Sequence, residues 1–114
     1  MSIQVTSRQV GDVSVVDVVG RITLGEGAST LREAIRGLVS KNNKKILLNL
    51  GEVSYIDSSG IGELVSGFTT VTNNGGTLKL LGLTKRVQDL LQITKLYTVF
   101  EVFDSEVTAL RSFT

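Results

Sequence analysis

The spacing of apolar residues changes along the chain, and each change marks an element. Ile3 and Val5 alternate with polar residues, and Val13, Val15, Val16, Val18 and Val19 are β-branched. This predicts strands over 3–7 and 13–19. Gly11-Asp12 between them signals a tight turn, hence a β-hairpin. Gly20 ends the second strand, and residues 21–24 can continue as a short third one. Leu31, Ala34, Ile35 and Leu38 recur at helical spacing and predict an amphipathic helix over about 27–40. Arg32, Glu33 and Arg36 on its other face read as a solvated surface. Asn42-Asn43 stops this helix, and Lys44-Lys45 lead into the next strand.

The centre of the chain is residues 46–72. Ile46, Leu47, Leu48, Asn49 and Leu50 make a nearly continuous apolar run, the pattern of a strand buried on both faces. A short connection, 51–57, follows. From Ile61 the period changes, with Ile61, Leu64, Val65, Phe68 and Val71 on one face of a helix over 58–72. Asn73-Asn74-Gly75-Gly76 stops it. Thr77–Leu81 form a strand, and Thr84 caps a helix bearing Val87, Leu90 and Leu91. Residues 94–97 connect to a last strand over 99–103, and Asp104 or Ser105 caps a final helix carrying Val107 and Leu110. The expected fold is α/β. A single-layer, mostly parallel sheet carries an N-terminal antiparallel hairpin and about four helices.

Asp57-Ser58-Ser59-Gly60 stands where the buried strand gives way to the helix. The first turn of a helix has unpaired N–H groups and a partly positive field. Asp57 or Ser58 can cap it. A hydroxyl there can also carry a phosphate, for which donors and field are favourable. In open α/β sheets, sites gather beyond the carboxyl ends of parallel strands, and 51–58 is such an end.

Val53-Ser54-Tyr55-Ile56-Asp57-Ser58-Ser59-Gly60-Ile61-Gly62 resembles the signature of the STAS domain, in particular of bacterial anti-sigma factor antagonists. Gly20-Arg21-Ile22-Thr23 fits a second pattern of that family, except that Thr23 stands where an acid is usual. The resemblance extends over nearly the whole chain and implies one STAS domain over 1–114. It implies that Ser58 accepts phosphate, with Ser59 the second candidate. It places Tyr55, Ile56, Asp57, Ser58, Ser59 and Gly60 in the partner interface, with Ser54 beside them. The implied partners are an anti-sigma factor with serine-kinase activity and a metal-dependent serine phosphatase. In the implied cycle the unphosphorylated form binds the anti-sigma factor and frees a sigma factor, and phosphorylation ends the contact. The implied setting is the bacterial cytoplasm. The same domain can instead serve a transporter complex or a signalling scaffold.

Composition narrows the chemistry. The 114 residues contain no His and no Cys. The commonest general base, the usual zinc ligands and serine–histidine nucleophile activation are therefore missing. Gly25-Glu26-Gly27 is too short for a phosphate cradle and lacks its lysine, so a nucleotide-binding domain is the weaker alternative. No catalytic residue, metal site or cofactor is expected. The formal net charge is +1, and the four Phe and two Tyr do not interleave with a basic block, which disfavours nucleic acid. No apolar run reaches the roughly 18 residues of a membrane span, and the N-terminus lacks a signal-peptide design.

Overall fold

The computed structural model describes residues 3–114. Its elements are β1 (Ile3–Val10), β2 (Val13–Ile22), α1 (Glu26–Ser40), β3 (Lys45–Ile56), α2 (Ser58–Asn73), β4 (Thr77–Leu81), α3 (Lys85–Ile93), β5 (Val102–Phe103) and α4 (Glu106–Arg111), with a 3-10 turn at Leu96–Thr98. The five strands lie in sequence order in one sheet, β1-β2-β3-β4-β5. β1 and β2 are antiparallel, and the other pairs are parallel.

The hairpin closes on Gly11 at φ 62, with Val10 opposite Val13. β1 runs three residues further than expected, because Arg8, Gln9 and Val10 also pair with β2, the first two with exposed side chains. No separate third strand forms at 21–24. Arg21 and Ile22 continue β2, pairing with Tyr55 and Ile56.

β3 is also longer than its apolar run, and segment 51–56 is strand rather than connection. Between the pairs Asp17–Asn49 and Val19–Glu52, β3 carries one residue more than β2, and it does so again between Gly20–Val53 and Arg21–Tyr55. These are two β-bulges. Each resets the alternation, so Leu48, Leu50, Val53 and Ile56 all reach the same core although their spacing is 2, 3 and 3. The Ser54 hydroxyl fastens the second bulge by donating to the Gly20 carbonyl at 3.2 Å.

One face of the sheet is covered by α1, α2 and α3. Leu31 and Ile35, then Ile61, Leu64 and Val71, then Val87 and Leu91 pack on Val16, Val18, Ile22, Ile46, Leu48, Leu50, Leu78 and Leu80. Gly67 lets α1 and α2 approach, since a Cβ there would sit 2.6 Å from Ile35 Cδ1. Arg32 is not simply solvated: it crosses to Glu63 of α2 at 2.6 Å. Phe68 meets Phe100 edge to face at 5.5 Å. Phe100 is thus core, and only Val102–Phe103 of the expected last strand pairs with β4.

Among the described residues, α4 is the helix that covers the opposite face. Ala109, with Leu110 and Phe113 at its margin, lies over Val13, Val15, Leu47 and Leu81. Ser105 caps α4, accepting from the Thr108 amide. Lys79, 7 % exposed, donates to the Ser112 carbonyl and hydroxyl at 2.9 Å each, and Arg8 bridges Asp17 and Glu106 at 2.7 Å each. Beyond α4 that face is open, and Val19 is 44 % exposed.

Candidate functional site

β2 and β3 end together. The Asp57 amide donates to the Ile22 carbonyl at 3.3 Å, and α2 begins at the next residue. Asp57 is the N-cap: its extended backbone (φ −110, ψ −173) aims the carboxylate back at the helix, and Oδ1 accepts from the Gly60 amide at 2.9 Å. Oδ2 accepts from the Leu24 amide at 3.1 Å, which ties the β2–α1 loop to the same carboxylate. The Gly60 amide, followed by that of Leu24, stabilises the ionised form and holds the Asp57 carboxyl below the usual carboxylate range.

With Asp57 as cap, Ser58 has no capping duty. It is the first residue of α2, it is exposed, and among the described residues its hydroxyl has no hydrogen-bond partner. Ser59 beside it is half-buried. Both Asp57 oxygens are used on backbone amides, so Asp57 fixes the helix start and the loop rather than the Ser58 hydroxyl.

Two residues expected in the interface are interior. Ile56 is fully buried in the main core. Gly60 is buried against β2, and a Cβ there would collide with the Ile22 carbonyl oxygen and with Ile56 Cγ1. Gly60 therefore admits β2, not a partner. Gly27 plays the same part for α1, since a Cβ there would lie 2.6 Å from the Arg21 carbonyl oxygen. Gly27 thus has a packing reason, whereas Gly25 has a conformational one, starting α1 at φ 96 with open space around it.

Tyr55 stays at the surface, half-buried. The guanidinium of Arg21 stands 4.6 Å from its ring centroid and that of Arg86 stands 4.4 Å from it. Leu24, 79 % exposed, projects from the loop that Asp57 holds. Leu24 and Arg86 carry no motif and escape a reading of local pattern, and Arg21 lies within the Gly20-Arg21-Ile22-Thr23 pattern without a role that the pattern itself discloses. The β2–β3 register would have indicated Arg21, whereas Arg86 arrives only through the packing of α3.

The exposed part of this strand end is thus Ser58 with Ser59 beside it, and Leu24, Tyr55 and the two arginines at the same ends of β2 and β3. Such a surface offers the exposed and unengaged hydroxyl of Ser58, two cations on one ring and an apolar side chain. Among the described residues no three acidic side chains gather to hold a metal ion. No helix among them is long and apolar enough to cross a membrane. A cleft of about 310 Å³ lies between Leu83, Leu91, Tyr97 and Phe100, and none of its lining residues belongs to 51–62.

The model of the STAS domain matches residues 4–109. The chain is 33% identical over 102 residues to the anti-sigma-B factor antagonist of Bacillus subtilis, covering 90% of this chain and 92% of that protein. Its fold is similar to that of an anti-sigma factor antagonist from Mycobacterium paratuberculosis, at TM-score 0.85 and 21% identity over 98% of this chain and 94% of the other. It is also similar to the Bacillus cell fate determinant SpoIIAA in the phosphorylated form, at TM-score 0.77 and 18% identity over 97% and 100%.

Proposed function

The chain belongs to the STAS-domain family, and on that premise we propose that it is an anti-sigma factor antagonist switched by phosphorylation of Ser58. The unphosphorylated form binds an anti-sigma factor and so frees a sigma factor. The anti-sigma factor is also a serine kinase; it transfers phosphate to Ser58, and the modified protein lets go. A metal-dependent serine phosphatase restores the first state. The chain is ligand and substrate in this cycle, and the enzymes are its partners. Its setting is the cytoplasm, where those partners act.

One observation carries the reading: the Ser58 hydroxyl is exposed and unengaged because Asp57 has taken over the cap. The names of the relatives support the partner class, and the phosphorylated form of SpoIIAA supports the modification.

The physics of the switch is local. A phosphate brings about −1.5 to −2 charges at pH 7. The positive end of α2 tolerates that charge, so the fold persists. The interface does not tolerate it, because a hydrated charge at the centre of a contact must be desolvated and paired. Mispaired interfacial charges typically cost ~2–5 kcal/mol. That is roughly 30- to 5,000-fold in affinity, at about 1.4 kcal/mol per tenfold.

The test is binding of Ser58→Ala and Ser58→Asp to the cognate anti-sigma factor, with mass spectrometry of the phosphorylated protein. Ser58→Ala should bind as the parent does and resist phosphorylation, and Ser58→Asp should bind far more weakly. Equal affinity for the two variants, or phosphate found elsewhere, would overturn the switch.

A further inference from the structure

We infer that the Arg21–Tyr55–Arg86 cluster is a docking surface for carboxylates, and that the partner recognised through Ser58 presents an acidic patch to it. The inference rests on the proposed function, since it names the chemistry of that same partner.

The cluster is built by the sheet. Asn49 pairs with Leu81, the last residue of β4, so β3 runs on past its neighbour as segment 51–56. The first turn of α3 fills the space alongside. Tyr55 stands opposite Arg21 in the β2–β3 register, and α3 brings Arg86 to the same ring. A guanidinium against an aromatic face loses freedom and keeps its donors outward. Two of them on one ring make a fixed pair of forks, the geometry that suits carboxylates.

Nothing among the described residues neutralises the pair. Arg8 and Arg32 each have a carboxylate at close range, but among the described residues neither Arg21 nor Arg86 has one within salt-bridge distance. Glu52 shares the sheet face, opposite Val19, and does not close the gap. The first turn of α3 holds Lys85 and Arg86 and no acidic residue, although the helix dipole favours acids there. Local stability argues against that choice, and such departures gather at functional surfaces. Since the net charge is only +1, the positive field here is local rather than global. The cluster lies at the same strand end as Ser58, and exposed Leu24, on the loop that leaves this end of β2, offers an apolar side chain.

A paired charge cluster at an interface acts mainly on encounter rate and salt dependence. The experiment is therefore stopped-flow association of the full chain with its anti-sigma factor, from about 25 to about 300 mM salt. Four proteins are compared: the parent, Arg21→Gln/Arg86→Gln, the charge-keeping Arg21→Lys/Arg86→Lys, and the control Arg36→Gln/Arg111→Gln, which removes equal charge elsewhere. The Gln pair should lower the association rate about tenfold at low salt and flatten its salt dependence. The Lys pair should restore most of the rate, and the control should stay near the parent. Equal rates for the Gln pair and the control would overturn the inference while leaving the proposed function standing. A parent that does not associate with the anti-sigma factor at any salt would overturn the proposed function, and the inference with it.

Discussion

Asp57 Oδ2 accepts a hydrogen bond from the amide of Leu24 at 3.1 Å, joining two loops 33 positions apart in sequence. Its other oxygen caps α2 through Gly60. One carboxylate therefore holds both the start of the helix that carries Ser58 and the neighbouring loop that exposes Leu24.

Replacing that carboxylate should loosen both. Loss of an N-cap costs about 0.5–2 kcal/mol. Asp57→Ala should fall near the upper end, because the Leu24 amide loses its acceptor too. Asp57→Asn, which keeps a carbonyl acceptor, should lose less. Urea unfolding measures the difference, and faster hydrogen exchange at the Leu24 amide should accompany the Ala variant.

The same groups set the pH dependence. Asp57 is depressed by the Gly60 amide first, and Asp17 and Glu106 by their hydrogen bonds to Arg8 first. Their folded pKa values lie below the unfolded ones, about 3.9 for Asp and about 4.3 for Glu. Their stabilisation is therefore fully present above the unfolded values and is lost as pH falls through the folded ones. No His or Cys side chain is present to titrate nearer neutrality. Urea midpoints should be flat between about pH 5.5 and 8 and drop below about pH 4. Arg8→Gln should shrink the acid limb, and a midpoint that falls between about pH 7 and 5.5 would contradict this assignment.

Gly60 and Gly62, two residues apart in α2, give a sharp contrast. Gly60→Ala puts a methyl into the Ile22 carbonyl and Ile56, and overpacking of this kind costs about 1–3 kcal/mol. Gly62→Ala meets open space inside a helix and should stabilise by about 0.5–1 kcal/mol. Thermal unfolding of both variants checks the opposite signs.

Charging Ser58 should leave the fold intact. The side chain is exposed and stands at the positive end of α2. Ser58→Asp should therefore unfold within about 0.5 kcal/mol of the parent. A loss of several times that size would mean that the modification works by unfolding α2 instead of by repelling a partner.

How far these features can be read from sequence follows from their range. The helix faces of Leu31–Ile35 and Ile61–Val71, the Gly11-Asp12 turn and the Thr84 cap were legible because each depends on residues within one or two turns of chain. Segment 51–56 was not legible as strand, since two bulges broke its alternation and only pairing with β2 restores Val53 and Ile56 to the core. Ser58 was legible through its motif, whereas its freedom from capping depends on Asp57.

The amino-acid order by itself determined the kind of layer, the helix that Ser58 opens and the absence of His and Cys chemistry, because periodicity and composition are properties of the chain alone. Tertiary structure decided that Ile56 and Gly60 turn inward, that Leu24 is bound to Asp57, and that Arg21 and Arg86 share the ring of Tyr55. Those relationships join residues tens of positions apart, and only the register of β2 on β3 and the seating of α3 bring them within contact distance.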